Sequence, residues 1–425
     1  MANIVLKGNT SGSITIASPD VSGVNVLTLP VETGTILTTN TPLPEVSSVE
    51  FAGAGTSSGN ITITAPDTDE TNTLTFPETT GTFATENSLG MRNFIINGDM
   101  MIDQRNGGSD FTITADNKYG LDRWVGRTFG GAGRFSMQKV DDAPSGFVDS
   151  NQIIVTTTAT SGAGGYGLEQ RIEGNNLTML NWGTANAKSL TASFWIKSSV
   201  VGTYSCALRT STSSVSGISY CVNTFTISTA NTWQKVIQTF PANTAYDTVT
   251  NNLTGIYFDI NFGAQTTKTT STLNIWTLGN FLFATGQTDV MQTSGATINI
   301  TGVQLEANIT ATPFENLMFQ LQLALCQRYY QTISKMIGYS GPTTSDIQCS
   351  VAYPIPMRAT PTISQSSVFR FDDAAASFTQ TSTGLGLAST NNTGTIINVM
   401  NITVNGTFRP HGKANTATLN LNAEL

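Results

Sequence analysis

The sequence predicts a mainly β protein with four parts: repeated short-strand fibre segments at the N-terminus, an antiparallel β-sandwich of the jelly-roll type, one α-helix and a C-terminal β lobe. Three observations lead to this prediction. Residues 11–40 recur without a gap at residues 58–87, residues 91–310 contain many short strands between turn-forming clusters, and one later stretch has helical spacing. We therefore divide the chain into 1–90, 91–311, 312–338 and 339–425.

The composition restricts the kind of partner. Hydrophobic residues make up 39% of the 425 residues and charged residues only 11%, against about 25% charged in an ordinary soluble domain. The surface must therefore be covered by Ser, Thr, Asn, Gln and Gly, which is typical of β proteins that work outside the cell. The net charge is −8 and the basic residues are scattered, so the cationic surface that a phosphate backbone requires is missing. We expect no nucleic-acid partner.

The N-terminal residues and the cysteines indicate where the protein is made. The sequence contains neither a signal-peptide pattern nor an apolar run long enough to span a bilayer. The four cysteines, Cys206, Cys221, Cys326 and Cys349, have no CxxC spacing. Cys206 and Cys221 flank a possible hairpin, but we expect free, buried thiols. We therefore expect assembly in a cytoplasm without membrane insertion, followed by release through lysis.

The N-terminal segment consists of short strands that one chain cannot bury. Ile14 and Ile16 alternate with polar residues in the first copy of the repeat, and Ile61 and Ile63 do so in the second. Because a two-stranded hairpin is marginally stable alone, we expect partner copies to cover these apolar faces. Each repeat would then form one layer of an oligomeric stalk. An independent small β domain is the alternative.

The sandwich strands separate into an inner and an outer face. In LTASFWIK and GIYFDINF, alternation assigns to the core Leu190, Ala192, Phe194, Ile196, Ile256, Phe258, Ile260 and Phe262. The outward positions include Trp195, Tyr257, Asp259 and Asn261. An aromatic ring can cover the C–H groups of a sugar while carboxylate and amide groups bond its hydroxyls. These four residues are the predicted glycan contacts, unless Trp195 and Tyr257 pack under a loop or against another subunit.

One helix is predicted after the sandwich. Thr312 suits an N-cap, Pro313 the first helical position, and Glu315 the third position of a capping box. Two apolar stripes follow, consisting of Phe314, Leu317, Met318, Leu321 and Leu325, and of Phe319, Leu323, Cys326 and Tyr330. A helix with two apolar sides needs two neighbours. We expect one stripe to cover the sandwich and the other to meet symmetry mates, although burial of both within one subunit is also possible.

The remainder of the chain returns to β patterns. CSVAYPIPMRATPTIS predicts a strand followed by proline-rich turns, and TIINVMNITVNGTF predicts a long pair of strands. NTATLNLNAEL ends the sequence in regular alternation of apolar and polar residues. These segments predict a β lobe at 339–425, which either packs on the sandwich or forms a distal tip.

Several of these segments together resemble a known family. They are, in order, MRNFIINGDMMIDQRNGG, YGLDRW, YGLEQRIEG, LTASFWIKSS, TWQKVIQTF, TGVQLEANITATPFE and LALCQRYYQ. Their order and spacing resemble phage and prophage tail-fibre proteins over residues 91–360. The resemblance implies a jelly roll similar to carbohydrate-binding modules, followed by a short helix. It also implies a homotrimeric fibre of the virion that attaches to a tail or baseplate protein by its N-terminus and displays its lobes to the host surface.

The chemistry-bearing residues favour binding over catalysis. His411 is the sole histidine, which excludes sites that need two histidine ligands, and we expect neither a metal nor another cofactor. The leading prediction is a non-enzymatic adhesin that binds host-surface polysaccharide. The first alternative is a polysaccharide-degrading tailspike that uses two carboxylates from Asp122, Glu169, Glu173 and Asp259. The second is a structural fibre that carries a separate adhesin.

Overall fold

The computed structural model divides the chain into two compact units, Met1–Gly81 and Thr82–Leu425. In the first unit the described residues are the four strands given below. In the second, they are 91–211, 217–279, 281–334, 337–340, 347–366, 370–372, 377–380, 385–399, 402–404, 412–414 and 418–425.

The first unit contains two antiparallel hairpins. Its strands are β1 (Ile4–Lys7), β2 (Ser13–Ile16), β3 (Ser48–Phe51) and β4 (Ile61–Thr64). β1 pairs with β2, and β3 pairs with β4. β2 lies at the start of the first copy of the repeat and β4 at the start of the second, so each copy begins with the second strand of a hairpin. The predicted strands around Ile14 and Ile61 are therefore confirmed. The later predicted strands of each repeat lie outside the described residues, and the stalk stays a prediction.

The second unit is built around two antiparallel sheets. Its strands are β5 (Phe111–Ile113), β6 (Lys118–Tyr119), β7 (Trp124–Phe129), β8 (Arg134–Val140), β9 (Ser150–Thr157), β10 (Gly165–Glu173), β11 (Leu190–Ser198), β12 (Gly202–Thr210), β13 (Ser219–Ile227), β14 (Gln234–Phe240), β15 (Thr254–Gly263), β16 (Thr269–Thr270), β17 (Thr277–Leu278), β18 (Phe283–Ala284) and β19 (Thr297–Glu306). One sheet has the order β17-β13-β12-β15-β10-β7-β6, and the other has the order β14-β11-β19-β9-β8-β5. The predicted antiparallel sandwich is confirmed.

The core lies between the two sheets. All eight inward residues predicted in β11 and β15 are at most 1% exposed. Phe194 of one sheet meets Phe258 of the other at 6.4 Å between ring centroids, and Phe135 meets Phe262 at 5.1 Å. Each such ring contributes about 1.5–3 kcal/mol by leaving water. Strand alternation therefore correctly predicted which faces meet.

The helix is present but shorter than predicted. It is α1, Phe319–Gln327, and its N-cap is Met318, without a side-chain cap. The predicted start is wrong because groups of the sandwich bind the capping residues: Thr312 Oγ1 donates to Glu306 Oε2 at 2.8 Å, and the main-chain N–H of Asn93 donates to Glu315 Oε2 at 2.9 Å. After the helix the chain enters a strand, so the predicted end at residue 338 is also wrong.

The two sides of α1 differ in their surroundings. Gln322 and Cys326 are buried, whereas Leu321, on the other side of the helix, is exposed. Phe319 lies on the same side as Cys326 but is exposed in the first turn, so the predicted stripe that contains both is buried only toward its end. The predicted contact of one stripe with symmetry mates stays a prediction.

The C-terminal region is also β. Its strands are β20 (Tyr330–Ile333), β21 (Ile337–Ser340), β22 (Ile347–Ala352), β23 (Thr362–Gln365), β24 (Arg370–Asp372), β25 (Ser377–Gln380), β26 (Leu385–Thr390), β27 (Gly394–Val399), β28 (Ile402–Val404), β29 (Gly412–Ala414) and β30 (Leu419–Asn422). One sheet has the order β26-β27-β22-β21-β29-β24-β25-β28, and another has the order β20-β30-β23. β27 and β28 lie in the same sheet but are not neighbours, so they are not the predicted pair. In β30, Leu419 and Leu421 are buried while Asn420 and Asn422 are not, as predicted. His411 lies outside the described residues.

Charged and aromatic groups fasten the last strand to the sandwich. Arg123 is buried, forms an ion pair with Glu424, and lies 3.6 Å from the ring centroid of Tyr329. Arg105 Nη2 lies 2.7 Å from Glu424 Oε1, and its guanidinium carbon is 3.6 Å from the ring centroid of Tyr330. We call Arg105, Arg123, Tyr329, Tyr330 and Glu424 the clasp. The clasp joins a loop of the sandwich to the segment that follows β30.

Three cysteines are free and buried, as predicted: Cys206, Cys221 and Cys326. Burial raises the pKa of Cys221 to about 12 and moves the pKa of Cys206 upward as well, so both remain thiols at neutral pH. The side chain of Cys349 lies outside the described part of the chain. Among the described residues, no helix is long and apolar enough to cross a bilayer.

Candidate functional site

Four neighbouring strands place a row of alternating tyrosines and arginines on the outer face of the seven-stranded sheet. The strand register sets Tyr220 beside Arg209, Arg209 beside Tyr257, and Tyr257 beside Arg171. The guanidinium carbon of Arg209 is 3.5 Å from the ring centroid of Tyr257, and that of Arg171 is 5.7 Å away. Cations at these distances are attracted to the face of an aromatic ring. The row therefore holds the Tyr257 ring in a fixed position.

A buried carboxylate anchors the arginines. Glu169 is fully buried and accepts hydrogen bonds from Arg127, Arg209 and Arg171, the last at 2.7 Å from Nε. Asp259 lies directly opposite Glu169 on β15 and accepts from Arg209 Nε at 3.2 Å. We call Arg127, Glu169, Arg171, Arg209, Tyr257 and Asp259 the arginine face. Its charges are paired and hydrogen-bonded, as buried ions must be.

The three arginines of the arginine face are more exposed than its two acids. The side chains of Arg127, Arg171 and Arg209 are 14%, 16% and 11% exposed, against 0% for Glu169 and 3% for Asp259. Lys268 lies at the margin, with its ammonium group 5.2 Å from the ring centroid of Phe129. Burial, together with the charges of Arg127 and Arg209, lowers the pKa of Lys268. Asp116 accepts from Arg127 Nε at 2.8 Å and adds one carboxylate whose side chain is 28% exposed. Arg127, Arg171, Arg209 and Lys268 therefore outnumber it in the outer layer.

Two parts of the chain border the arginine face. On one side, Leu282 and Phe283 pack against Tyr220. On the other side, Arg171 donates to the main-chain carbonyl oxygen of Leu425 at 2.5 Å and to the side chain of Asn117. Between these borders Tyr257 and Arg171 remain partly exposed. The face is thus a strip of sheet surface between two walls.

Three of the four predicted site residues lie on the outer side of this sheet, but only Tyr257 is accessible. Asp259 and Asn261 are buried. Asn261 Nδ2 donates to the Leu282 carbonyl at 2.8 Å and to Ser205 Oγ at 3.3 Å. The prediction that both would be open to solvent is corrected, because the segment around Leu282 and the side chain of Arg209 cover them. The alternation of side chains along a strand assigns each residue to a face, but it does not show whether another segment of the chain covers that face.

Trp195, the fourth predicted residue, lies on the other sheet. It is opposite Lys235 in the register of β11 and β14. Nearby, Lys197 Nζ is 5.2 Å from the ring centroid of Trp233, and Trp233 Nε1 donates to Asp142 Oδ1 at 3.3 Å. We call Trp195, Lys197, Trp233 and Lys235 the tryptophan face. Because the outer faces of the two sheets point away from each other, Trp195 and Tyr257 do not share a site.

The arginines of the site were not predicted from the sequence. The signal was nevertheless present in the sequence. Arg171 in YGLEQR and Arg209 in YSCALR occupy outward positions in strands whose side chains alternate between two faces. Glu169 was considered only as a possible catalytic carboxylate. Its role as the common acceptor of three arginines depends on strands that are far apart in the sequence.

The other two candidate carboxylates, Glu173 and Asp122, are also held by protein groups. Although burial opposes it, hydrogen bonds from Arg328 and Tyr329 lower the pKa of Glu173. Burial raises the pKa of Asp122 to about 6, against hydrogen bonds from Gln104. Within the described ranges, no cluster of three or more His, Cys, Asp or Glu residues could hold a metal ion.

The raised pKa of Asp122 predicts a dependence of stability on pH. Between the ordinary value of 3.8 and about 6, the folded protein holds a proton on Asp122 that the unfolded chain has released. Stability should therefore fall as the pH rises through this range, by up to about 3 kcal/mol. Asp122→Asn should lack this fall. The test compares the free energies of unfolding of both proteins at pH 4 and 7, and equal changes in the two proteins would contradict it.

Comparison with known proteins gives no family. No family model matches the chain, and no curated protein matches it. Among solved structures, similar ones include a putative sugar-binding protein from Bacteroides thetaiotaomicron, with 13% identity and a TM-score of 0.32, covering 51% of this chain and 100% of that one. Another is the enzymatically active domain of tailspike protein 4 from bacteriophage CBA120, with 13% identity and a TM-score of 0.28, covering 51% of this chain.

The match with the tailspike spans only 21% of that chain. A third similar structure is a family 11 carbohydrate-binding module from a cellulosomal cellulase of Clostridium thermocellum, with 14% identity and a TM-score of 0.24, covering 47% of this chain and 97% of the module. At this level of similarity, the function has to be inferred from the residues of this chain itself.

Proposed function

We propose that this protein is a phage tail fibre or adhesin whose sandwich binds a host-surface glycan. The observation that carries the proposal is the arginine face, where a partly exposed Tyr257 ring lies beside fixed guanidinium groups. The ring is suited to the C–H surface of a sugar, and the arginine N–H groups are suited to its oxygen atoms. Because the sheet and the ion pairs hold these groups in place, little ordering is required on binding.

The arrangement of the carboxylates favours binding without cleavage. A glycosidase needs one carboxyl group that gives a proton to the leaving oxygen and a second carboxylate near the anomeric carbon. Glu169 and Asp259 lie beneath the arginines, which pair with both acids and cover them. The arginines cannot replace the acids in catalysis, because a guanidinium group stays protonated. Asp122 has the raised pKa of a general acid, but it is buried and its Oδ1 accepts from the main-chain N–H of Gln104 at 3.1 Å.

The proposal includes the assembly implied by the resemblance. The N-terminal hairpins would form a stalk that attaches to a tail or baseplate protein, and three copies of the chain would form a virion fibre. Two features support contact between copies: the marginal stability of isolated two-stranded hairpins, and the exposed side chains of Met318, Phe319 and Leu321 on α1. Three sandwiches on one fibre would multiply a modest affinity for each glycan site.

The test is binding of the full chain to arrays of bacterial surface polysaccharides and to host cells, with release of reducing ends measured in the same samples. Tyr257→Ala should weaken binding about tenfold, because the stacking ring is lost. Trp195→Ala is the matched aromatic substitution on the opposite sheet and should leave binding unchanged. No release of reducing ends is expected.

Each other outcome of this test has a distinct meaning. A loss confined to Trp195→Ala would move the binding site to the tryptophan face. Release of reducing ends that depends on Asp122 or Glu169 would identify a polysaccharide-degrading tailspike. Binding to no polysaccharide and to no cell would leave a structural fibre that carries a separate adhesin.

A further inference from the structure

The outer layer of the arginine face is cationic, although the protein as a whole is acidic. The chain carries a formal net charge of −8. On this face, however, three arginines are partly exposed, while Glu169 and Asp259 lie below them, nearly or fully buried. A third carboxylate, Asp116, pairs with Arg127 and is 28% exposed. The ammonium group of Lys268 adds a further positive charge beside Phe129. A ligand approaching the sheet therefore meets more cations than carboxylates.

The geometry of the arginines suits oxyanions better than neutral hydroxyls. A guanidinium group presents a rigid, planar set of N–H donors that matches a carboxylate or a phosphate. Glu169 orients all three arginines. Asp116 also holds Arg127, Asp259 also holds Arg209, and the carbonyl oxygen of Leu425 also holds Arg171. Their donors are thus fixed before a ligand arrives. A neutral sugar would need the exposed ring of Tyr257 but would gain little from several fixed cations around it.

Burial of the acids strengthens this preference. Glu169 lies beneath three arginines, so a ligand anion approaching from solvent is closer to the guanidinium groups than to the carboxylate. Lys268 contributes a charge on the same side, and its pKa is lowered by burial and by Arg127 and Arg209. An added anion at this margin would relieve the mutual repulsion of these cations.

We infer that the glycan bound by the arginine face is acidic, with a carboxylate or phosphate on its sugar units. The anionic group would lie on Arg127, Arg209 and Lys268, and a sugar ring would stack on Tyr257. This inference rests on the proposed function and specifies its ligand class. The two chemical sources of the anion, uronic or sialic acid carboxylates and phosphate groups, share the same contacts and are distinguished by the test below.

The test measures binding of the full chain to an array of acidic bacterial polysaccharides, each beside its neutralised form. The carboxylated probes are polygalacturonate, hyaluronan and polysialic acid with their carboxyl-reduced forms. The phosphorylated probe is a polyol-phosphate teichoic acid with its dephosphorylated, glycosylated polyol. Neutral glucans and galactans complete the array. We expect binding to at least one acidic member, at least tenfold weaker binding to its neutralised form, and binding that weakens at least fivefold between 50 and 500 mM NaCl.

Charge-removing variants assign the effect to one face of the sandwich. Lys268→Gln should weaken binding to the acidic glycan about fivefold, and so should Arg171→Gln, because both remove a cation from the partly exposed layer. Lys235→Gln removes the same charge from the tryptophan face and should have no effect. Lys268 and Lys235 are both accessible, so neither substitution opens a buried space.

The outcomes separate this inference from the proposed function. Equal binding to acidic and neutralised forms, or binding to neutral glycans alone, would overturn the acidic ligand and leave glycan binding in place. Loss of binding in Lys235→Gln but not in Lys268→Gln would overturn the assignment to the arginine face. Binding to no member of the array and to no host polysaccharide would overturn the proposed function, and the inference with it.

Discussion

Glu169→Ala is expected to lower the free energy of unfolding by about 3–5 kcal/mol, because it leaves Arg127, Arg171 and Arg209 around a space that no longer holds an anion. Removal of one partner from a buried ionic network costs more than the network itself contributes to stability. The arginines would then have to turn toward solvent, and Tyr257 would lose the cations that hold its ring. Glycan binding should therefore disappear together with stability.

Unfolding of the sandwich can be followed in the full chain, because all five tryptophans lie between residues 124 and 276. Their fluorescence during denaturation by urea gives the free energy of unfolding. Asp116→Asn is the matched control: Asp116 also accepts from Arg127, at 2.8 Å from Nε, but its side chain is 28% exposed. It should cost less than about 1 kcal/mol. Equal losses in the two variants would contradict the central role of Glu169.

The second large effect is expected at the clasp. Arg123→Met should cost about 3 kcal/mol or more, because Glu424 loses its buried partner and Tyr329 loses the guanidinium stacked on its ring. The substitution also removes a hydrogen bond to the main-chain carbonyl oxygen of Arg171. Since Glu424 lies just after the last strand, separated from it by Ala423, the loss should loosen β30 between β20 and β23. Local opening would then precede unfolding of the sandwich.

Hydrogen exchange of the amides in Leu419–Asn422 measures this opening directly. In Arg123→Met these amides should exchange at least tenfold faster, while those of β11 in the centre of the sandwich keep their protection. Arg134→Met serves as the control, because, among the residues that the structure describes, Arg134 donates only to the nearby carbonyl oxygens of Gly131 and Gly133. If the amides of β30 exchanged at an unchanged rate in Arg123→Met, the clasp would not be the main attachment of β30 to the sandwich.

The sequence by itself determined the class of fold and the faces of its strands. The inward sets of β11, β15 and β30 were correct because the side chains of a strand alternate between two faces wherever the strand lies in the sheet. This rule is local, so it needs no knowledge of neighbouring strands. The presence of a helix between two β regions was likewise a local property of the apolar spacing around Phe319.

Only the tertiary structure decided which local signals were used. Thr312 and Glu315 had the right identities to cap a helix, but stronger partners on the sandwich bound them and the helix began later. Asp259 and Asn261 were assigned to the correct face, but Arg209 and the segment around Leu282 cover them. Glu306, which binds Thr312, is near it in the sequence, but the groups that bind Glu315, Asp259 and Asn261 come from distant parts of the chain.

The site itself depends on strand order. Arg171, Arg209, Tyr220 and Tyr257 form one row because β10, β15, β12 and β13 are neighbours, and the same order places Glu169 beneath the arginines. Trp195 has the same outward pattern as Tyr257 but belongs to the other sheet. Alternation assigns a residue to a face of its own strand, whereas long-range pairing decides which strands share that face. The sequence therefore determined the candidate residues, and the pairing of distant strands determined which of them form a site.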